Sequence, residues 1–212
     1  MPADRTPTIW VIAGANGAGK SSIIGQMLRD QQLDYYNPDE HTELLLTRNP
    51  GLARSAANEL AWHSGKKRLE TAIAARTSFV FETTLGGRTI TTPLMRAAMS
   101  GIAVKKWFVA LDSADRHVAR VRARVATGGH DIPEARIRER YDRSRVNLAR
   151  LLPHVCAVKV FDNSQEASTR RGPAVKLLLD YAGGRVRACA DLASMPKWAK
   201  PLVAAAIKAA RT

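Results

Sequence analysis

The chain has 212 residues, of which 45% are hydrophobic and 25% are charged, proportions typical of one folded globular domain. No apolar run approaches the roughly 20 residues that a membrane-spanning helix needs, and the polar start, 1–7, lacks an apolar segment, so we expect no signal peptide. The two cysteines are far apart and form no CxxC motif, which argues against a disulfide framework or a metal site and makes the cytoplasm the expected location.

The formal net charge is +14, from 33 Lys and Arg residues against 19 Asp and Glu residues. One interpretation is a polyanionic partner, such as a nucleotide, a sugar nucleotide or a nucleic acid. The other is a generally basic composition, because most of the excess is arginine on helices that we expect to be exposed. Charge alone does not separate the two interpretations, although it raises the encounter rate with any phosphate-rich ligand.

Short apolar runs alternate with longer amphipathic stretches, a pattern that indicates βαβ units and a parallel sheet. The predicted strands are 8–13, 33–36, 78–81, 104–111 and 155–161. The predicted helices are 20–29, 50–76 with a break near Gly65, 89–99, 114–126 and 134–151.

The tail after the fifth strand is less regular. Segment 174–181 is compatible with a strand or a short helix, 183–184 predicts a hairpin-like turn, and 198–210 predicts a terminal helix. We therefore expect a core over 8–165, with a C-terminal extension over 166–212 packed on it.

The segment 14–21, GANGAGKS, fits the phosphate-loop pattern GxxxxGK[ST] and lies between a predicted strand and a predicted helix, as that motif requires. Glycines let the backbone wrap around phosphate oxygens, and successive N–H groups point inward as an anion nest. We expect Lys20 to reach the β- and γ-phosphates of ATP and the Ser21 hydroxyl to bind Mg²⁺. Ser22 either contacts the α-phosphate or faces water. The predicted ATP-binding residues of this segment are Gly14, Ala15, Asn16, Gly17, Ala18, Gly19, Lys20, Ser21 and Ser22.

A phosphate loop predicts a nucleotide but not a reaction. The sequence has neither the NKxD motif of GTPases nor the LSGGQ motif of ABC ATPases, and it is as short as small-molecule kinases are. Such kinases need an acceptor site beside the γ-phosphate, a base for the acceptor hydroxyl and arginines that close over the transferring group. We therefore predict an ATP-dependent phosphotransferase.

Asp39 is the candidate base, because it follows the second predicted strand and ligands gather at the carboxyl ends of the strands in such sheets. A carboxylate there can accept a hydroxyl proton and hold a Mg²⁺-bound water, and the adjacent Glu40 would share the acceptor site. The alternative is that Asp39 caps the following helix, with Pro38 setting the turn. Position alone does not decide between these interpretations.

A second polar segment, 82–88, follows the third predicted strand at the same edge of the sheet. It supplies a carboxylate, two hydroxyls and a backbone made flexible by glycines, which suit a polyhydroxylated or sugar ligand. The alternative is a strand-end turn in which a threonine caps the next helix, but a glutamate that ends a buried strand is otherwise costly. The predicted acceptor-binding residues here are Glu82, Thr83, Thr84 and Arg88.

Two arginine-bearing helices flank the glycine pair 128–129, an arrangement typical of a mobile lid over about 120–145. The first helix carries Arg120 and Arg124 one turn apart, and the second carries Arg136, Arg140 and Arg143 on one face. We expect at least one of Arg120, Arg124 and Arg140 to neutralise charge on the transferring phosphoryl group, while His130 shapes the hinge. The alternative is a solvated basic helix pair.

Asn163 follows the fifth predicted strand, at the edge that lies near the adenine in P-loop kinases. It either reads the base or packs behind it, and an ordinary Asx turn explains it equally well.

Together these motifs resemble the zeta-toxin family of P-loop kinases, in particular its compact bacterial branch, often labelled as predicted ABC-type ATPases. The motifs that carry the resemblance occur in the family's order and cover about 8–165. They are GANGAGKSS (14–22), NPDE (37–40), FETTLGG (81–87), RVRARVATGGHDIPE (120–134), IRERYDRS (137–144) and FDNS (161–164).

The resemblance implies an α/β three-layer sandwich with a five-stranded parallel sheet and a helical lid. It also implies ATP, Mg²⁺ and phosphorylation of a hydroxyl on a UDP-activated amino sugar, typically UDP-N-acetylglucosamine, which poisons cell-wall synthesis; an antitoxin protein is then a possible partner. By this resemblance Lys20 and Ser21 serve the phosphates and Mg²⁺, and Asp39 is the base. Glu82 and Thr84 match substrate positions, and Arg120 matches one lid arginine. The candidates for the second lid arginine are Arg124, Arg138 and Arg140.

Two other functions stay open from the sequence. One is a kinase for another hydroxyl, such as that of an antibiotic, a nucleoside or a polynucleotide 5′ end. The other is a non-catalytic, nucleic-acid-associated ATP-binding protein, which ranks last because the sequence lacks stripes of alternating aromatic and basic residues.

Overall fold

The computed structural model describes residues 6–20, 35–165 and 175–211, and within them seven strands form one sheet of order β2-β3-β1-β4-β5-β6-β7. The strands are Thr8–Ala13 (β1), Tyr35–Tyr36 (β2), Phe79–Thr83 (β3), Ala103–Ala110 (β4), Ala157–Asp162 (β5), Lys176–Ala182 (β6) and Arg185–Cys189 (β7). The helices are Pro38–Arg48 (α1), Arg54–Ala75 (α2), Arg88–Met99 (α3), Ala114–Ala126 (α4), Glu134–Leu151 (α5) and Lys200–Ala209 (α6), with a 3₁₀ turn at Leu152–His154. None of the helices in the described part of the chain is long and apolar enough to cross a membrane.

The first five strands pair in parallel, and the last two continue the sheet in antiparallel pairing. The central strands are apolar along most of their length because helices cover both faces of a parallel sheet. The structure thus confirms the predicted α/β class with a mainly parallel sheet. The two antiparallel strands extend the five-stranded sheet that was expected.

The expected break in the second long helix is wrong, since α2 is continuous from Arg54 to Ala75. A Cβ atom on Gly65 would lie 2.6 Å from the Cε1 atom of Tyr36, so the glycine lets the helix approach β2 closely. The Tyr36 hydroxyl also donates a hydrogen bond to the carbonyl oxygen of Ala61. The glycine therefore serves packing between helix and strand and does not interrupt the helix.

The interpretation of Asp39 as a helix cap is also wrong, because Asn37 is the N-cap of α1. The Asn37 side chain accepts a hydrogen bond from the Asp39 backbone N–H at 3.0 Å and donates one to Glu40 Oε1 at 3.0 Å. Pro38 occupies the first turn, where the lack of an N–H group costs nothing. Asp39 thus keeps its carboxylate available for another purpose.

The sequence of 174–181 is compatible with a strand or a short helix, and strand β6 begins there at Lys176. A turn at 183–184 joins β6 to β7. Helix α6 buries Leu202, Val203 and Ala206 in the same apolar cluster as Phe108 of β4. The C-terminal elements therefore complete the sheet and its main core. The division into a core and an extension stays a prediction.

Candidate active site

The phosphate loop leaves β1 and lies against β3, β4 and α4. The Gly14 N–H donates to the carbonyl oxygen of Thr83 at 3.3 Å. A Cβ atom on Gly14 would lie 2.1 Å from the Val109 carbonyl oxygen, and one on Gly17, where φ is +79°, would lie 2.7 Å from the His117 carbonyl oxygen. Both glycines are therefore required for the loop to take this path.

A buried histidine that the sequence analysis did not single out supports the loop from α4. The Leu111 N–H donates to Nε2 of His117 at 3.2 Å, so the ring proton is on Nδ1, which donates to the Asn16 carbonyl oxygen at 2.7 Å. The side chain is fully buried, and burial lowers the pKa of His117 to about 4. A neutral imidazole therefore holds the middle of the loop, and no local sequence pattern indicates this role.

Asn163 and Arg120 support the far end of the loop. The Asn163 side-chain amide donates to the Ala18 carbonyl oxygen at 2.9 Å, and the Arg120 guanidinium donates to the Asn163 carbonyl oxygen at 2.7 Å. Asn163 is buried directly beside Gly19. Of the roles considered for Asn163, this contact favours packing behind the nucleotide site over reading the base.

Lys20 is buried between the loop and the end of β3. Its Nζ donates to the carbonyl oxygens of Gly14 at 2.9 Å and Ala15 at 3.3 Å, and lies 3.3 Å from Glu82 Oε1. The Tyr35 hydroxyl donates to Glu82 Oε2 at 2.9 Å, and burial, followed by the charge of Glu82, raises the pKa of Tyr35. The Lys20 ammonium therefore contacts both the loop carbonyls and the Glu82 carboxylate at the end of β3.

A cleft of about 780 Å³ opens beside Lys20, a size typical of small-molecule sites. It is bounded by the phosphate loop, the end of β3 and helices α1, α2 and α5. The predicted site residues that line it are Asn16, Lys20, Asp39, Glu82, Thr83, Thr84 and Arg140. The exposed carboxylate of Asp39 and the buried ammonium of Lys20 thus face one cavity.

Several other predicted residues lie outside the cleft. Neither Glu40 nor Arg88 lines the cavity. The Glu40 carboxylate accepts a hydrogen bond from the Asn37 side chain, and Arg88 is exposed in the first turn of α3. Threonine does not cap α3, because its N-cap is Gly87. The serines of the motif, at 21 and 22, lie outside the described residues, and their expected contacts with Mg²⁺ and phosphate stay predictions.

Of the three candidates for the second lid arginine, Arg140 is the one that lines the cleft. Its Nη1 donates to Asn16 Oδ1 at 2.8 Å, and burial lowers its pKa, with a contribution from the charge of Arg136. Arg138 instead pairs with Asp115 at 2.6 Å and Glu134 at 2.7 Å. Arg124 donates to the His130 carbonyl oxygen at 3.1 Å. These two arginines therefore connect α4, the hinge and α5.

Helix α2 contributes cleft residues that are not among the predicted site residues, because the segment 50–76 shows only the pattern of an alanine-rich helix. They are Ser55, Asn58, Glu59, Trp62 and Lys66. Apart from the adjacent pair 58–59, successive members are three or four residues apart, which places them on one side of the helix, a pattern visible in the sequence once the cavity is known.

The described residues contain no group of three or more His, Cys, Asp and Glu side chains able to hold a metal ion. Mg²⁺ in phosphoryl-transfer sites is held by one or two protein oxygens together with substrate phosphates and waters, so a dedicated protein cage is not needed. The exposed carboxylate of Asp39 in the cleft fits that pattern of binding.

A glycine loop with a buried lysine, a carboxylate across the cleft and an arginine on a helix above it define a P-loop protein of the kinase type. The chain belongs to the zeta toxin family, whose family model matches residues 1–171. A relative with 28% identity over 144 residues is an uncharacterized protein of Haemophilus influenzae, and the match covers 63% of this chain and 96% of that protein.

Solved structures with the same fold include a toxin-antitoxin system and the AvrRxo1-ORF1:-ORF2 complex. The PezAT toxin-antitoxin system of Streptococcus pneumoniae aligns with a TM-score of 0.60 at 12% identity, over 98% of this chain and 87% of that chain. The AvrRxo1-ORF1:-ORF2 complex aligns with a TM-score of 0.65 at 14% identity, over 97% and 75%. A structure of that complex with ATP gives a TM-score of 0.64 at 14% identity, over 96% and 76%. At these identities the likeness establishes the fold.

Proposed function

We propose that this P-loop kinase transfers the γ-phosphoryl group of ATP to a hydroxyl of a UDP-activated amino sugar, UDP-N-acetylglucosamine in particular. The observation that carries the proposal is that Lys20, the phosphate-loop lysine, and the exposed carboxylate of Asp39 line the same cleft. Membership of the zeta toxin family supports the choice of acceptor, and ATP in the complex of AvrRxo1-ORF1 with ORF2 supports the choice of donor.

In the proposed reaction, the N–H groups of the loop and the Lys20 ammonium hold the phosphates of ATP. Asp39 accepts the proton of the acceptor hydroxyl as its oxygen bonds to the γ-phosphorus, and the bond from that phosphorus to the bridging oxygen breaks to release ADP. Arg140 neutralises negative charge on the transferring group. Bound Mg²⁺ would neutralise phosphate charge, with Ser21 and Asp39 as its proposed protein contacts.

Glu82 has a defined part in this scheme. Its carboxylate lies 3.3 Å from the Lys20 ammonium, while the hydroxyl of Tyr35 donates a hydrogen bond to the other carboxylate oxygen. The entering phosphates compete with Glu82 for the lysine, and a displaced Glu82, with Thr84 next to it in the cleft, is then available to the sugar hydroxyls.

We also propose that the chain acts together with an antitoxin protein. PezAT is described as a toxin-antitoxin system, and AvrRxo1-ORF1 is found in complex with ORF2. A partner that covers the cleft would keep the transferase inactive in the cell that makes it.

The test is ATP-dependent gain of one phosphate group by UDP-N-acetylglucosamine, measured by mass spectrometry. We expect Lys20→Ala and Asp39→Asn to lower the rate by about 100-fold or more, because each removes a group that acts on the transferring phosphoryl or the attacking hydroxyl. Asp142→Asn is the matched control, since Asp142 is an exposed carboxylate paired with Arg145 away from the cleft.

Wild-type activity in Asp39→Asn would show that the base is assigned wrongly. A single-stranded oligonucleotide serves as a second acceptor in the same assay. Phosphorylation of its 5′ end, with none of the UDP-sugar, would replace the proposed acceptor by a polynucleotide.

A further inference from the structure

Helix α2 presents an amide, an indole and an ammonium group to the cleft, with the exposed carboxylate of Glu59 beside them. Asn58, Trp62 and Lys66 follow one another at intervals of four residues, and all three line the cavity. Residues so spaced share a helix face, and the row extends over about 12 Å at the helical rise of 1.5 Å per residue. A ligand in this cleft therefore meets a mixed aromatic and polar surface on α2.

Trp62 keeps 39% of its surface exposed inside the cleft. It makes a T-shaped contact with His63, with ring centroids 4.8 Å apart. Isolated exposed apolar residues are common on protein surfaces, and Leu44 and Leu60 on α1 and α2 are two examples, but neither of them lines the cavity. Trp62 differs from them because it lines the cleft in which the acceptor is proposed to bind.

The other wall of the cleft is basic. Arg136, Arg140 and Arg143 of α5 line it, and Glu139 lies 3.8 Å from Arg136 and 2.8 Å from Arg143. An acceptor that contacts both walls is recognised by a flat aromatic face on one side and by cationic groups on the other. A nucleoside diphosphate derivative has both chemical features, whereas a simple sugar or a polyol lacks the flat ring.

We propose that Trp62 is the platform on which the planar ring of the acceptor stacks, and that it determines the specificity of the kinase for nucleotide-type acceptors. Asn58 lies one turn away and carries both a donor and an acceptor that can read the edge of a base. Lys66 lies one turn away in the other direction, where its Nζ is 3.5 Å from Glu70 Oε1, and supplies a positive charge for which a phosphate competes with Glu70. This inference rests on the proposed function in one respect, that the acceptor occupies this cleft.

The direct test measures binding of UDP by isothermal titration calorimetry, with the phosphate loop saturated by a non-hydrolysable ATP analogue. Loss of a stacked base weakens binding by about 10- to 100-fold, so we expect this change in the Kd for UDP in Trp62→Ala. Trp62→Phe retains a ring and should stay within about fivefold of wild type. Leu60→Ala, an exposed residue of the same helix outside the cavity, is the matched control and should leave the Kd unchanged.

A kinetic test separates this inference from the proposed function. If UDP-N-acetylglucosamine is phosphorylated, Trp62→Ala should raise its KM by the same factor and leave the KM for ATP unchanged. Phosphorylation with an acceptor KM that is insensitive to Trp62→Ala overturns the platform and leaves the function standing. Trp62-dependent binding of UDP without transfer supports the platform and overturns the function. Absence of saturable UDP binding to the wild-type protein overturns the platform.

Discussion

Replacement of Lys106 by methionine is expected to stabilise the protein at neutral pH. Lys106 lies in β4 between Val11 of β1 and Val158 of β5, and its side chain is 1% exposed. Its Nζ atom has no hydrogen-bond partner in the described part of the chain. A buried amine without a partner is costly, and methionine keeps most of the volume without the polar group.

The size of the effect follows from the pKa of the amine. Burial lowers the pKa of Lys106 from 10.5 to about 7, and each unit corresponds to about 1.4 kcal/mol. The shift means that Lys106 lowers the free energy of unfolding by at most roughly 5 kcal/mol at pH 7 and below. We expect a measured gain of about 2–4 kcal/mol, because relaxation of the core and entry of water reduce such penalties.

The same shift predicts the pH dependence. Between pH 7 and pH 10.5 the unfolded chain keeps a proton on Lys106 that the folded chain has released. The contribution of Lys106 to the free energy of unfolding therefore rises with pH in that window, by at most about 1.4 kcal/mol per pH unit, and is constant below it. The methionine variant lacks this contribution, so its advantage over wild type should shrink as the pH is raised through the window.

Urea denaturation followed by circular dichroism across that pH window measures both effects. Lys105→Met is the matched control, because Lys105 is the neighbouring residue of β4, is partly exposed and lies 4.9 Å from the ring centroid of Trp10. Its loss should change stability by about 1 kcal/mol or less, with no change in the pH dependence. Equal stability of wild type and Lys106→Met at neutral pH, or an advantage that does not shrink with pH, would refute the reasoning.

Two further substitutions test contacts around the site. His117→Phe leaves the Leu111 N–H and the Asn16 carbonyl without these hydrogen bonds, so we expect the KM for ATP to rise about tenfold or more. The control is His154→Phe, a change at an exposed position that should leave this KM unchanged. An unaltered KM in His117→Phe would contradict the supporting role of the His117 ring. Gly65→Val places a Cβ atom 2.6 Å from the Tyr36 ring and should lower stability by about 1–3 kcal/mol in urea denaturation. Gly51→Val, at a position with open space around it, is the control, and equal losses in the two glycine variants would argue against the contact.

The local sequence determined the fold class and several element boundaries. The run 8–13 followed by a glycine loop predicts a strand and a phosphate loop, and β1 occupies those residues. The helix predicted over 114–126 is observed as α4, because Ser113 caps its start with a side-chain bond to the Arg116 N–H and glycines follow its end. These features depend on residues within one or two turns of each other, and such short-range information is present in the sequence.

Tertiary contacts decided which side chains meet in the cleft. Arg138 and Arg140 are two residues apart on one helix, yet the first pairs with Asp115 and Glu134 on the surface while the second contacts Asn16. Periodicity places both arginines on α5, but it does not indicate which of the two side chains lies against the phosphate loop. That choice depends on a contact between residues 124 positions apart, which forms only when α5 packs beside the loop.

The same reason explains the residues that local patterns did not reveal. The hydrogen bond of His117 to Asn16 spans 101 positions, and Trp62 lines a cleft only because α2 and α5 border one cavity. A histidine or a tryptophan on an amphipathic helix has no local feature that distinguishes a site residue from a packing residue. The sequence by itself thus determined the phosphate loop and the sheet that carries it, whereas long-range packing decided which side chains support the loop and which line the cleft.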